Sequence, residues 1–236
     1  MIDILARDRA FVIAEAGTCH ASIDPGRRLE KAMRYVHAAH AAGADAIKFQ
    51  WFTDSVGPGG MFCWIDGDEV RRHRWHLSAL PLDYWRQVKE YADACGIMLL
   101  ASAFERETVA WLSELGLSAT KIASRAARSL VPFASAPGPY LASTGMYPAL
   151  DGPNIIVLEC EANYPSTATW SGECPGFSDH SGTPWRSIDA IARRCRLVEV
   201  HFYVEASDAG PDYRASLTTD GLRLICEARD AFAGLR

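Results

Sequence analysis

Residues 41–50 read AAGADAIKFQ and contain the unit from which the rest of the chain is built. A helical pattern stops at Gly43, where a left-handed cap can end a helix, and a short apolar run follows at once. That run, Asp45–Gln50, carries the polar residues Lys48 and Gln50 near its end. The pattern predicts a helix, a tight turn and a buried strand whose carboxyl end bears reactive groups.

The same unit recurs, and eight short apolar runs alternate with segments of helical period. The predicted strands are Ala10–Ala16, Asp45–Gln50, Ile97–Ser102, Ala119–Ala123, Tyr140–Ser143, Asn154–Cys160, Gly176–Asp179 and Leu197–Phe202. The predicted helices are Pro25–Ala42, Pro81–Ala94, Arg106–Leu115, Pro184–Arg194 and Thr218–Phe232. Eight apolar strands separated by helices are typical of a parallel (β/α)8 TIM barrel. We expect one compact barrel domain over residues 1–236.

Three connections depart from a regular barrel. Residues 144–153 and 161–175 are short or poor in helical period, whereas a parallel crossover usually needs a dozen or more residues. We therefore expect helices five and six to be reduced or missing. Residues 51–80 predict a long loop after the second strand, and loops of that length are commonly functional lids.

Composition excludes several classes of protein. The chain is 49% hydrophobic and 22% charged with a net charge of −5, which fits neither a disordered tail nor a nucleic-acid binder. No run approaches the roughly 20 apolar residues of a membrane span. The N-terminus has early charges and no long apolar run, so we expect no signal peptide. Seven cysteines without paired spacing favour a reducing, cytoplasmic location.

Polar residues mark the carboxyl ends of the predicted strands, where barrel enzymes carry their chemistry. They are Glu15, Lys48, Gln50, Ser102, Lys121, Ser124, Ser143, Asn163 with Tyr164, His180 and His201. Only four of the 24 basic residues are lysines, so Lys48 and Lys121 inside strand segments are informative. With the serine hydroxyls they suit a phosphate and a carboxylate. The alternative is a buried stem whose amine reaches solvent.

His180 and His201 are predicted to end neighbouring strands, about 5 Å apart. Two neutral imidazoles at that spacing can share a divalent metal and leave positions open for substrate and water. The other interpretation is two unrelated histidines that only form hydrogen bonds. The residues alone leave both open.

The ordered motifs resemble the N-acetylneuraminate (sialic acid) synthase family. The resemblance begins with FVIAEAGTCH (residues 11–20) and AAGADAIKFQ, continues through LPLDYWRQVKEYADACGIMLLASAFE, and then follows KIAS, LASTGM, NYP, GFSDHSG, VHF and GPDYRASL. It covers nearly the whole chain. It implies condensation of phosphoenolpyruvate with a sugar aldehyde, with C–O cleavage and phosphate release, helped by a divalent metal that is usually Mn²⁺, with Mg²⁺ or Co²⁺ as alternatives.

The resemblance also implies residue roles. His180 and His201 match the metal ligands. Catalytic roles fall on Glu15, Lys48, Lys121, Tyr164 and Asp212. Substrate-binding roles fall on Gln50, Ser102, Ser124, Ser143, Asn163 and Arg125.

Departures from the family pattern bear on activity. After KIAS the family usually carries glycine and then an acidic residue, where this chain has Arg125 and Ala126. The acidic role is then either lost or moved to Glu159, Glu161 or Glu15. Arg125, together with Arg128, could instead bind a phosphate or carboxylate on a different aldehyde. The sequence ends at Arg236, so we also expect the family's C-terminal antifreeze-like domain to be missing.

The leading interpretation is a metal-dependent synthase that joins phosphoenolpyruvate to a sugar or smaller aldehyde, giving a 2-keto-3-deoxy acid. One alternative is a lyase or enolpyruvyl-handling enzyme of the same superfamily. The other is a catalytically silent barrel that binds an anionic ligand or scaffolds a partner. We expect a homodimer that covers the strand five–six side, and neither a nucleic-acid nor a membrane partner.

Overall fold

Eight parallel strands form a closed barrel in the computed structural model, which describes residues 4–5, 8–57, 60–61 and 67–235. Each strand pairs with the next in sequence, and the first pairs with the eighth to close the sheet. The strands are β1 (Phe11–Gly17), β2 (Ala46–Trp51), β3 (Met98–Ala103), β4 (Thr120–Ile122), β5 (Tyr140–Ser143), β6 (Ile155–Cys160), β7 (Gly176–Asp179) and β8 (Leu197–Tyr203). A short parallel strand, β9 (Ser216–Thr218), pairs with the end of β8 at the carboxyl rim. The predicted (β/α)8 barrel is confirmed.

Helices cover the outside of part of the barrel. They are α1 (Pro25–Ala41), α2 (Glu69–Ser78), α3 (Leu82–Cys95), α4 (Arg106–Glu114), α5 (Pro184–Ala192) and α6 (Thr219–Ala233). Their ends follow local rules. The Asp24 side chain accepts a hydrogen bond from the Gly26 amide at the start of α1, and Gly96 ends α3 with φ 77°.

The connections after β5 and β6 contain no α-helix, as expected. The crossover after β4 also lacks one and has only two 3-10 turns, Ser124–Ala126 and Val131–Phe133, which the sequence analysis did not predict. Three neighbouring strands therefore have no α-helix outside them.

The prediction of a loop throughout residues 51–80 is wrong, because α2 lies within that segment. Asp68 caps α2 by accepting a hydrogen bond from the Arg71 amide, and Trp75 packs on Phe52 with ring centroids 5.3 Å apart. Residues 58–59 and 62–66 of the predicted loop, and residues 1–3 and 6–7 of the N-terminus, lie outside the described residues.

Apolar side chains fill the barrel below the polar rim. Phe11, Ile13, Leu100, Leu141 and Leu197 form part of this interior layer and are almost fully buried. A second layer packs between the strands and the helices. This closed apolar floor leaves only the carboxyl rim as a place for buried polar chemistry.

Connecting segments partly cover the strands that lack helices. The Tyr140 hydroxyl donates to the backbone carbonyls of Phe133 and Ala136, which draws the crossover after β4 against β5. Ile155 and Val157 on the outer face of β6 are half-buried.

Across the described ranges, no helix combines the length and apolar character needed to cross a membrane.

Candidate active site

Charged and polar side chains from several strands meet inside the carboxyl rim of the barrel. The parallel register places Glu15 of β1 beside Lys48 of β2 and His201 of β8, and places Ser102 of β3 beside Lys121 of β4. All five are buried. Because alternate residues of a strand share a face, these groups lie directly above the apolar floor.

Two lysines and two glutamates form the base of the site. Lys48 Nζ lies 2.6 Å from Glu15 Oε2, and it donates a hydrogen bond to Ser102 Oγ at 3.0 Å. Lys121 Nζ donates to Ser143 Oγ at 2.8 Å. Glu199 lies between the lysines, 3.5 Å from Lys121 and 3.9 Å from Lys48. Each lysine thus has a carboxylate partner and a hydroxyl partner.

The two carboxyl groups differ in how readily they lose a proton. Burial raises the pKa of Glu15 to about 7, against the opposing effect of Lys48. Burial would also raise the pKa of Glu199, but Lys121 and Lys48 together hold it at about 2. Burial lowers the pKa of Lys121. Glu199 is therefore the permanent anion, and Glu15 titrates near neutral pH.

His180 and His201 face each other across the rim, with ring centroids 5.4 Å apart. Burial lowers the pKa of His180 to about 4, helped by His201, and lowers the pKa of His201 to about 3, helped by Lys48. Both rings are neutral at pH 7. His180 Nδ1 lies 2.7 Å from the Glu161 carbonyl oxygen, which only accepts, so Nδ1 carries the hydrogen and Nε2 has the lone pair.

Tyr164 lies over the histidines. Its ring stacks on His180 with centroids 4.2 Å apart and meets His201 edge-on at 5.7 Å. Its hydroxyl lies 3.0 Å from His180 Nε2, to which it donates. Burial raises the pKa of this phenol, and Asp212 raises it further.

Tyr164 also separates two cavities. The inner cavity is lined by the lysines, glutamates and histidines. The outer cavity lies beside it and is lined by Arg71 and Trp75 of α2 and by Arg125. Gln50, Ala123, Ser124 and Tyr164 line both. A ligand that reaches from one cavity into the other must pass these four residues.

The histidines fit a weak metal site. Within the described part of the chain, no group of three or more His, Cys, Asp or Glu side chains is arranged to hold a metal ion. His180 nevertheless has the character of a ligand, because it is neutral and its Nδ1 is fixed by a backbone carbonyl. His201 supplies a second neutral imidazole. The donor set fits a divalent ion that takes its remaining ligands from water or substrate.

Comparison with known protein families shows what the chain is related to. The model of the NeuB family matches residues 35–234, most of the chain. The chain belongs to the NeuB family. It is 27% identical to pseudaminic acid synthase of Campylobacter jejuni, over 93% of this chain and 73% of the relative. It is 28% identical to N,N'-diacetyllegionaminic acid synthase of Legionella pneumophila, over 94% and 72%.

A solved structure shows that the NeuB-family fold extends through the chain. The N-acetylneuraminic acid (sialic acid) synthetase of Leptospira borgpetersenii superposes with a TM-score of 0.78 at 21% identity, covering 96% of this chain and 85% of the other.

In this NeuB-family barrel most of the predicted site residues come together. Those lining the inner cavity are Glu15, Lys48, Gln50, Lys121, Ser124, Ser143, Tyr164, His180 and His201. Ser102 lies just below, bonded to Lys48. Arg125 and Asp212 line the outer cavity.

Three acidic or polar candidates lie elsewhere. Asn163 is exposed, lines neither cavity and donates to Glu161 Oε1 at 2.8 Å. Glu159 accepts hydrogen bonds from the backbone and hydroxyl of Ser171, and Glu161 also accepts one from Ser166. Of the three acids considered as substitutes for the one missing at Ala126, Glu15 alone lines the inner cavity.

Glu199 and Ser178 were not predicted from the sequence. The Ser178 hydroxyl donates to Glu199 at 2.9 Å, and both line the inner cavity. Each stands two residues before a predicted histidine, so the two-residue period of a strand places it on the same inward face. Arg71 and Trp75, which line the outer cavity, belong to the unpredicted α2.

Proposed function

We propose that this chain condenses phosphoenolpyruvate with an aldehyde to give a 2-keto-3-deoxy sugar acid and inorganic phosphate. The observation that carries the proposal is the inner cavity itself, where two buried lysines face two buried neutral histidines. The names of the relatives, pseudaminic acid synthase and N,N'-diacetyllegionaminic acid synthase among them, support the same reaction class.

Phosphoenolpyruvate is a small trianion, and the inner cavity has the groups to bind it. Lys48 and Lys121 supply charge, while Ser124 and Ser143 supply hydroxyl donors. The net charge of the inner cavity depends on whether Glu15 is protonated, because Glu199 stays ionised. When Glu15 holds a proton, Lys48 is released from its 2.6 Å ion pair and the cavity gains one positive charge. We propose that the anion binds to this protonated form.

The proposed reaction conserves atoms in a simple way. A C–C bond forms between the methylene carbon of phosphoenolpyruvate and the aldehyde carbon, and the aldehyde oxygen takes a proton. Water adds to the enol carbon, and the bond from that carbon to the phosphate oxygen breaks, which releases inorganic phosphate. Glu15 is the inner-cavity acid whose pKa of about 7 suits it to give or take a proton here.

His180 and His201 are the residues that would hold a divalent ion, with Mn²⁺ the leading candidate and Mg²⁺ or Co²⁺ as alternatives. Such an ion would polarise the aldehyde carbonyl as a Lewis acid. The Tyr164 hydroxyl donates to Nε2 of His180, the atom whose lone pair would hold the ion, so the hydroxyl would have to turn away for an ion to bind there.

Phosphate release from phosphoenolpyruvate, measured over a panel of aldehydes with and without Mn²⁺, tests the proposal. We expect release that requires both an aldehyde and the ion, with a product whose mass equals that of phosphoenolpyruvate, the aldehyde and one water minus that of phosphoric acid. Release without any aldehyde would instead support the lyase alternative. The Lys121→Met protein serves as the control for contaminating phosphatase.

A silent barrel is the second candidate, and Ala126 favours it, because this buried residue stands where the resemblance places an acid. Calorimetry separates the two. Tight binding of phosphoenolpyruvate with no turnover of any aldehyde would support the silent barrel, whereas turnover excludes it.

We also propose that the protein acts in the cytoplasm as a homodimer. The six described cysteines are free thiols, which suits a reducing compartment. For the dimer, the supporting feature is the outer face of β5 and β6, which lacks a helix and keeps Ile155 and Val157 half-buried. A twofold partner is a common way to cover such a face.

A further inference from the structure

The outer cavity has a chemical character of its own. Its walls include two guanidinium groups, Arg71 from α2 and Arg125 from the turn after β4, and one carboxylate, Asp212. Its other walls include the apolar surfaces of Trp75, Phe104 and Met146. Among the described lining residues, cations therefore exceed anions by one.

The two arginines are held in place by their surroundings. Arg71 Nη1 lies 3.4 Å from Asp212, and its Nε lies 3.1 Å from Asp68. The guanidinium of Arg125 lies over the Trp75 ring, 5.6 Å from its centroid. Both side chains are only partly exposed. Guanidinium groups fixed in this way lose little entropy when they bind an anion, and their planar forks match phosphate and carboxylate oxygens.

The outer cavity continues from the inner one on the side away from the lysines. Gln50, Ser124 and Tyr164 belong to both cavities, whereas Arg71 and Arg125 line only the outer one. A substrate whose carbonyl lies near the histidines therefore extends its far end toward the arginines. Under the proposed function, Lys48 and Lys121 of the inner cavity bind the anionic groups of phosphoenolpyruvate, which leaves the two arginines for the second substrate.

We propose that the aldehyde substrate carries an anionic group, a phosphate or a carboxylate, at the end remote from its carbonyl, and that Arg125 and Arg71 bind this group. The inference rests on the proposed function and deepens it by naming the substrate class. It makes Arg125 a specificity-determining residue, and the anion binds in a site partly shielded from water by Trp75 and Phe104.

Matched pairs of aldehydes test the proposal. Phosphate release from phosphoenolpyruvate is measured with D-erythrose against D-erythrose 4-phosphate, D-ribose against D-ribose 5-phosphate, and D-glucose against D-glucuronate. We expect at least one anionic member to exceed its neutral partner in kcat/KM by about 10- to 100-fold, the range of a charge-assisted hydrogen bond. The phosphate and carboxylate pairs show which anion the site prefers. Equal rates within every pair would overturn the proposal.

Two variants locate the effect. Arg125→Gln should remove most of the preference for the anionic aldehyde and leave the KM for phosphoenolpyruvate within about twofold. Arg223→Gln is the matched control, because Arg223 pairs with Asp220 at the start of α6, lines neither cavity, and its loss should change neither value. If Arg125→Gln raised the KM for phosphoenolpyruvate instead, the arginine would belong to the other substrate and the proposal would be wrong.

Calorimetry keeps the test independent of turnover. Phosphoenolpyruvate, D-erythrose 4-phosphate, D-ribose 5-phosphate and D-glucuronate are titrated separately into wild-type and Arg125→Gln protein. Binding of an anionic aldehyde that is lost in Arg125→Gln supports the outer site even if no aldehyde reacts. Failure of all three anionic aldehydes to bind, while phosphoenolpyruvate binds, overturns the outer site and leaves the proposed function standing. Failure of phosphoenolpyruvate alone contradicts the proposed function instead.

Discussion

The ammonium of Lys48 lies 2.6 Å from the carboxylate of Glu15, and both side chains are almost completely buried. With Glu199 and Lys121 they form a set of two cations and two acids that is nearly neutral without substrate. Protonation of Glu15 therefore controls the charge that the cavity offers to an anion.

The stability of the protein should depend on Glu15 with a defined sign. Its folded pKa of about 7 exceeds its ordinary value of 4.5, so the folded protein keeps a proton that the unfolded chain has lost. The contribution of Glu15 to stability is therefore present at low pH and is lost as pH rises from about 4.5 to about 7. Glu15→Gln has no carboxyl group to ionise at this position, so this variant does not lose stability from it as pH rises. We expect the Tm of Glu15→Gln, relative to wild type, to rise between pH 5 and pH 8.

Glu199→Gln is the comparison variant for that experiment. The pKa of Glu199 is lowered to about 2, so its own stabilisation is complete above about 4.5 and is lost only as pH falls toward 2. Glu199→Gln should lower Tm from pH 5 to pH 8, and because the Glu199 charge helps to raise the pKa of Glu15, it should also weaken the pH dependence that Glu15 causes. A Tm difference between Glu15→Gln and wild type that stays flat from pH 5 to pH 8 would contradict the raised pKa.

Lys121→Met should weaken binding of phosphoenolpyruvate by about 1.5–3 kcal/mol, the cost of one charge-assisted hydrogen bond. Lys121→Arg should not restore it fully, because a planar fork needs different room from a compact ammonium. Titration calorimetry measures both. The control is Lys89→Met, since Lys89 pairs with Asp93 on the outer surface of α3. Unchanged affinity in Lys121→Met would count decisively against the assignment.

A double variant, His180→Ala with His201→Ala, should abolish Mn²⁺ binding measured by calorimetry in the presence of phosphoenolpyruvate. Two protein ligands make a weak site, and a bound substrate adds ligands, so the ion binds best with substrate present. His37→Ala with His40→Ala on the exposed side of α1 is the matched control. Equal Mn²⁺ affinity in the two double variants would exclude His180 and His201 as ligands.

Tyr164→Phe should raise the affinity for Mn²⁺ several-fold. The ion must displace the hydroxyl that now donates to His180 Nε2, and a hydrogen bond of this kind contributes about 1 kcal/mol. The phenyl ring keeps the stack on His180, so the cavity wall is preserved. Lower Mn²⁺ affinity in Tyr164→Phe would show that the hydroxyl is itself part of the metal site.

Light scattering should give a dimer of this 25.9 kDa chain at micromolar concentration. Val157→Lys should shift the protein to a monomer, because Val157 lies on the outer face of β6 between the inward residues Ile156 and Leu158. Val70→Lys on α2, at an already exposed position, should leave the dimer intact. A monomeric wild type would refute the prediction.

Most of the strands could be predicted from the sequence because they are short apolar runs that end in a turn, although β7 (GFSD) and β4 (TKI) are less apolar. The bounds of β5 and β7 agree with the prediction at both ends. The helix α2 could not be predicted, because its sequence EVRRHRWHLS has no clear apolar stripe. Only Trp75 and Ser78 of this helix are buried.

Site residues on strands were predicted better than those on loops. Lys48 and His201 follow from strand period, and Glu199 follows from the same rule applied two residues earlier. Asn163 and Tyr164 are neighbours in one loop, yet only Tyr164 faces the cavity. Periodicity does not fix the direction of a loop side chain, so the sequence left that pair unresolved.

Because helices cover only part of the barrel, the strands that line the binding cavity differ in how well they are packed on their outer side. Glu15, Lys48 and His201 stand on strands that are followed by α-helices, whereas Lys121 and Ser143 stand on β4 and β5, which are not. Segments with less packing open locally at lower free energy, which amide hydrogen exchange reports. β4 and β5 carry the Lys121–Ser143 pair, so an anion bound between Lys48 and Lys121 would link these less packed strands to the strands that helices cover. Anion binding should then slow amide hydrogen exchange throughout β4 and β5, including at amides that do not contact the anion.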